Sequence, residues 1–143
     1  MFSETHGDEV STLVRALIAA WNAHDADRLV DLYSDQYVGQ DVGQPVRQVG
    51  VEAIRASFVS YFEAFPDARF QIEDVVTESD RVAVLWIGRG THRGAFMKIP
   101  PTVRVVEVRG VSFLTIRNGK IEHGRHVWDV AGALRQIGLL PDL

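Results

Sequence analysis

The 143-residue sequence contains no cysteine. That excludes disulfides, thiolate catalysis, iron–sulfur clusters and cysteine zinc sites. It has no apolar run near the roughly 20 residues needed to cross a bilayer. The opening Met1-Phe2-Ser3-Glu4-Thr5-His6 has neither a basic stretch nor an apolar core, so it does not resemble a signal peptide. A cytoplasmic protein is the expectation. Basic residues are not in excess: 15 stand against 19 acidic ones, for a formal charge of −4. Such a chain has no bulk attraction to nucleic acid or anionic membrane. Internal repeats and low-complexity segments are absent. No glycine cluster follows a strand and opens a helix, so Gly39, Gly43, Gly88, Gly90 and Gly94 make no phosphate loop.

What is present suits one globular domain over residues 1–143. Hydrophobic residues make up 46% and charged residues 24%, enough of each for a core and a solvated surface. Val10, Leu13, Val14, Leu17, Ile18 and Trp21 follow the spacing of one helix face. Asp25 is an N-cap for a short second helix carrying Leu29, Val30, Leu32 and Tyr33. The glycines and Pro45 between Val38 and Gly50 predict a loop, with room for a short extended piece. Val51, Ile54, Phe58, Tyr61, Phe62 and Phe65 restore the helical period, which Pro66 ends. Strands follow. Phe70, Ile72 and Val76 alternate, Val82 to Ile87 is rich in strand formers, and Gly88, Gly90 and Gly94 suggest a bulge or bend. Val103 to Arg117 and Ile121 to Trp128 flank Asn118-Gly119, a strong hairpin signal. Asp129 caps a last helix over Val130 to Ile137, closed by Gly138. Helices first and antiparallel strands after indicate an α+β fold, with one curved sheet wrapped on the helices.

Three stretches carry a resemblance. They are Trp21-Asn22-Ala23-His24-Asp25 leading to Leu32-Tyr33-Ser34-Asp35; Gly90-Thr91-His92-Arg93-Gly94-Ala95-Phe96 followed by Ile99-Pro100-Pro101-Thr102; and Asn118-Gly119-Lys120-Ile121-Glu122 with Trp128-Asp129 and Leu134-Arg135-Gln136-Ile137-Gly138. In this order and spacing the chain resembles the SnoaL-like polyketide cyclases, from about Val10 to Leu140. The resemblance implies a cone-shaped α+β barrel, shared with ketosteroid isomerase and nuclear transport factor 2, whose curved, mostly antiparallel sheet holds a deep apolar pocket. It implies acid/base ring closure on polyketide-derived substrates without metal or organic cofactor, and a homodimer or homotetramer. The family's catalytic aspartate falls on His126. Its helper histidine and glutamine fall on Ser112 and Gly110, and its asparagine near Gly39 or Gln40.

Candidate site residues follow. His126 is the expected proton shuttle, because an imidazole titrates near neutrality. In a regular strand Glu122 and Trp128 share its face, so Glu122 is a second catalytic candidate. Asp129 is a third, as an orienting carboxylate or a helix cap. The aromatics, Tyr37 and Tyr61 among them, are core by default. Tyr33, Phe58, Phe62, Trp86 and Trp128 are expected to line the pocket as well, and Gln40, Tyr33 or Ser112 to hold the oxygen on which charge develops. His92 is either a pocket residue or a backbone-bonded support at the bend. His123 and His126 lie on opposite strand faces, so no metal site is expected. Epoxide hydrolysis or isomerisation in the same pocket, and binding without catalysis, are the alternatives.

Overall fold

The computed structural model describes residues 2–143, and the side chains of all of these except residues 2–6 and 8. The side chain of His6 therefore lies outside those described. Three helices precede most of the sheet. They are α1 (Phe2–Ala23), α2 (Ala26–Asp31) and α3 (Val51–Ala64). The strands are β1 (Tyr33–Asp41), β2 (Gln48–Val49), β3 (Arg69–Glu78), β4 (Arg81–Thr91), β5 (Val105–Arg117) and β6 (Lys120–Trp128), and α4 (Val130–Gln136) ends the fold. Among the described residues no helix is long and apolar enough to span a membrane.

Six strands form one sheet in the order β2-β1-β6-β5-β4-β3. The pairings are antiparallel except β1 with β6, which run parallel. The sheet does not close on itself, and the helices complete the cone. Val10, Val14, Leu29, Ile54 and Phe58 meet Val82, Leu114 and Ile121 in the main core. Asn22 ties the end of α1 to β3: its amide donates to the Phe70 carbonyl at 3.0 Å and accepts from the Phe70 N–H at 2.7 Å.

The local signals correspond to real elements. Asn118 and Gly119 have φ of 53° and 72°, the left-handed pair that a two-residue hairpin turn requires. Asp25 and Asp129 cap α2 and α4 by accepting from the N–H groups of Arg28 and Gly132.

The stretch read as a loop differs. Tyr33 opens β1 instead of closing the second helix, and the strand runs on to Asp41. Gly39 is no turn residue. A Cβ there would stand 2.2 Å from the Tyr37 hydroxyl, because the tyrosine ring lies across it. Gly124, its partner on β6, is overlain by the same ring. These glycines mark a close approach of a side chain to the sheet.

Candidate active site

The concave face of the sheet and the helices enclose a cavity of about 190 Å³. One water needs only about 10–15 Å³, so this is a binding space and not a packing defect. Its wall is largely aromatic. Trp21 packs edge-on against Phe58, Phe62 and Phe70, with ring centroids 4.9, 5.4 and 4.8 Å away. Trp86 and Trp128 come from the sheet.

Strand register assembles the polar part. His126 on β6 is flanked by Asp41 on β1 and Ser112 on β5, so three side chains form a row across three strands. Asp41 is only 8% exposed and accepts three hydrogen bonds. Trp128 Nε1–H and the Gly43 N–H donate to Oδ1 at 2.8 and 2.7 Å, and the Tyr61 hydroxyl donates to Oδ2 at 3.1 Å. About four lone-pair positions exist on a carboxylate, so one is left for a substrate proton. The imidazole of His126 stands between two hydroxyls: Ser112 Oγ at 2.8 Å from Nδ1 and Tyr37 Oη at 3.4 Å from Nε2. Ser112 in turn accepts from Trp86 Nε1–H at 3.0 Å.

The electrostatics follow from burial. Desolvation pushes the His126 imidazole below its ordinary value, and the neighbouring Asp41 charge pulls the other way. Desolvation also raises the phenols of Tyr37 and Tyr61, and the Asp41 charge adds to it. At neutral pH the cluster therefore holds an uncharged imidazole and two intact phenols beside a hydrogen-bonded aspartate.

Of the sequence-derived candidates, His126, Ser112, Tyr33, Phe58, Phe62, Trp86 and Trp128 line this cavity. Four do not. Glu122 sits at a bulge: Ile116 pairs with Ile121 but Thr115 pairs with His123, so one extra β6 residue breaks the alternation. The face shared by Gly124, His126 and Trp128 excludes Glu122, whose carboxylate lies 3.4 Å from His123 Nε2. Asp129 serves as the α4 cap, accepting from Gly132 N–H at 2.8 Å. Gln40 is exposed, because the alternation that turns Gly39 and Asp41 inward turns it outward. His92 is fully buried outside the cavity lining. Its Nδ1 accepts from the Thr102 N–H at 3.2 Å, and its backbone pairs with Arg104 and Val103, so it ties down the bend after β4.

Asp41 was missed, and Tyr37 and Tyr61 were read only as core aromatics. The signal lay in the period-two run Tyr37-Val38-Gly39-Gln40-Asp41, which the glycine disguised as loop. Among the described residues no three His, Asp or Glu side chains converge as a metal would need.

Comparison with known proteins places this geometry. Aklanonic acid methyl ester cyclase AcmA from Streptomyces galilaeus is 25% identical over 126 residues, 87% of this chain and 88% of its own. The solved structure of AclR, a proposed hydroxylase from the same organism, is 26% identical with a TM-score of 0.84, covering 96% of this chain and 85% of that one. IdmH from Streptomyces antibioticus, a proposed polyketide cyclase, is 26% identical with a TM-score of 0.77, covering 90% of this chain and 97% of that one. The ketosteroid isomerase-like fold is the one observed. The family model for SnoaL-like polyketide cyclases matches residues 11–137. That span takes in both the aspartate strand and the histidine strand, and the chain belongs to the SnoaL-like polyketide cyclase family.

Proposed function

We propose that this protein closes a ring on an apolar, polyketide-derived substrate by acid/base chemistry that uses its own side chains. The observation that carries the reading is the pairing of Asp41 with His126 on adjacent strands inside a largely apolar cavity. A carboxylate beside neutral hydrogen-bond donors in an apolar-walled site supplies a base and an oxyanion partner together.

In an aldol-type closure, Asp41 takes a proton from a carbon flanked by carbonyl groups. The resulting enolate carbon attacks a second carbonyl of the same molecule, and a C–C bond forms. The π pair of that carbonyl moves to its oxygen, which the His126–Tyr37 side protonates. Asp41 then releases its proton to solvent and the His126–Tyr37 side takes one up from solvent, which restores both groups. Closure by opening an epoxide uses the same parts: Asp41 takes the proton of the attacking hydroxyl, and the donor side protonates the leaving oxygen. The aromatic walls hold a flat substrate so that its reacting carbons meet the polar row.

The test uses aklanonic acid methyl ester, the compound named for the relative AcmA, and a hydroxy-epoxide of similar size. Wild type is expected to convert one of them. Asp41→Asn and His126→Gln, checked for folding by circular dichroism, are each expected to lose about 100-fold or more. Equal turnover by folded Asp41→Asn would refute the assignment. Binding without conversion by wild type would instead mark a small-molecule-binding protein.

A homodimer or homotetramer is part of the same proposal. It is supported by Leu85, Val111 and Val127, which register sets side by side on the outer face of the sheet, next to the exposed Phe113. Light scattering of the purified protein would decide it.

A further inference from the structure

We propose that Trp86, acting through Ser112, fixes His126 as the tautomer that carries its proton on Nε2. The imidazole is then the hydrogen-bond donor of the site, and Asp41 is its base. The assignment of roles toward substrate rests on the acid/base reading above; the tautomer itself does not.

The argument starts from the one group whose polarity is fixed. An indole N–H donates and cannot accept. Trp86 Nε1 lies 3.0 Å from Ser112 Oγ, so Ser112 accepts there. The indole is held in place because its six-membered ring lies over Gly110, where a Cβ would come within 2.4 Å of Trp86 Cζ2. Ser112 is 8% exposed, and among the described residues its hydroxyl has one other partner, His126 Nδ1 at 2.8 Å. If Nδ1 carried the proton, Ser112 would accept twice. Its own proton would then have no acceptor among the described residues, an arrangement that folded proteins avoid. With the Ser112 proton directed to Nδ1, both bonds are satisfied.

The consequence appears on the other side of the ring. Nε2–H faces Tyr37 Oη across 3.4 Å, a long contact. It is therefore a weakly committed donor that a substrate oxygen can take over. If the Tyr37 oxygen accepts from Nε2–H, its own proton is left for the cavity that Tyr37 also lines. The chain Trp86, Ser112, His126, Tyr37 thus points its hydrogen bonds in one direction, toward the substrate. Asp41 on the next strand receives three donors and offers only acceptors. The opposite tautomer would present a basic Nε2 to the cavity and exchange the two roles. Trp86 and Ser112 are in this sense positioning residues.

The experiment is nitrogen NMR on the full-length, ¹⁵N-histidine-labelled protein at pH 7.5. Correlations through each ring identify the protonated nitrogen, and the loss of one of five histidine patterns in His126→Gln assigns the signal. The Nε2–H form is expected in at least about fivefold excess, the ratio that one unsatisfied buried hydroxyl imposes. Trp86→Phe keeps an aromatic ring but frees Ser112 to accept from Nδ1–H, so the excess is expected to collapse. Ser112→Ala is expected to do the same, and Ser112→Thr to restore the wild-type pattern. A wild-type spectrum showing Nδ1–H would overturn the proposal without needing any variant to fold. So would a folded Trp86→Phe protein with an unchanged pattern. Ring closure by a protein with Nδ1–H would leave the proposed function standing and remove this inference. The Nε2–H form in a protein that closes no ring would do the reverse.

Discussion

The placement of Tyr37 over two glycines makes Gly124→Ala a demanding test of the site. The added Cβ would lie 2.3 Å from the Tyr37 hydroxyl oxygen and 3.2 Å from His126 Nε2. An ordinary carbon–oxygen contact is about 3.3 Å, so the oxygen must retreat by about 1 Å. It has little room, because Tyr37 is 1% exposed and packs edge-on against Tyr33 at 4.9 Å. Overpacking of this kind costs about 1–3 kcal/mol. At about 3–4 °C per kcal/mol for a chain of this size, the melting temperature is expected to fall by roughly 3–12 °C. Tyr37→Phe removes the offending oxygen and leaves Cζ as the nearest atom, at 3.2 Å from the same Cβ. The double variant should therefore regain at least about 1 kcal/mol relative to the sum of the two single changes, as contacting pairs do. Thermal and urea unfolding followed by circular dichroism would close the cycle. Strict additivity, or a Gly124→Ala protein as stable as wild type, would refute the account of why glycine is there.

Further outcomes follow from other contacts. Asp41→Ala strands the half-buried donors of Trp128 and Tyr61 and should cost about 2–6 kcal/mol in urea unfolding, since each unpaired group costs about 1–3 kcal/mol. His126 is held neutral by burial, while in the unfolded chain it titrates near 6.5. Below that pH the unfolded state binds the extra proton, so this group's contribution to stability is full above about 6.5 and declines as pH falls toward the depressed folded value. The drop in urea midpoint between pH 7.5 and pH 5 should accordingly shrink in His126→Gln. Asp129→Ala should cost about 1 kcal/mol as a lost helix cap and leave turnover unchanged. Glu122→Gln should change neither stability, within about 0.5 kcal/mol, nor turnover.

Features that depend on neighbours in sequence were legible before the structure. The Asn118-Gly119 turn, the caps at Asp25 and Asp129 and the helical periods of α1 and α3 are local chemistry. His126 and Ser112 were reached through the family resemblance and Trp86 as a pocket aromatic, and all three line the cavity. What was not legible depends on pairing at a distance. Asp41 lies on a strand that glycine and proline made look like loop, and its partner is a parallel strand near the other end of the chain. Glu122 was misplaced for a different reason. Period-two counting carries a side chain to one face only while no residue is inserted, and the β6 bulge inserts one. Tyr37 looked like ordinary core because nothing local shows that its ring crosses two glycines to reach an imidazole.

The parallel pairing of β1 with β6 has a kinetic side. Tyr37 and His126 are 89 residues apart, and Asp41 and Trp128 are 87. Closing so long a loop costs on the order of 3 kcal/mol more than closing a hairpin of about four residues. Contacts of this range form slowly and reward the chain only once most of its surface is already buried. The β5–β6 hairpin can zip early, and β4 can join it, but the carboxylate meets the imidazole only when the first strand docks against the last. A nascent chain still threaded through the ribosome at β6 holds every aromatic of the wall except Trp128, and no polar row. The polar row of Asp41 and His126 is thus completed only by docking of the first strand against the last.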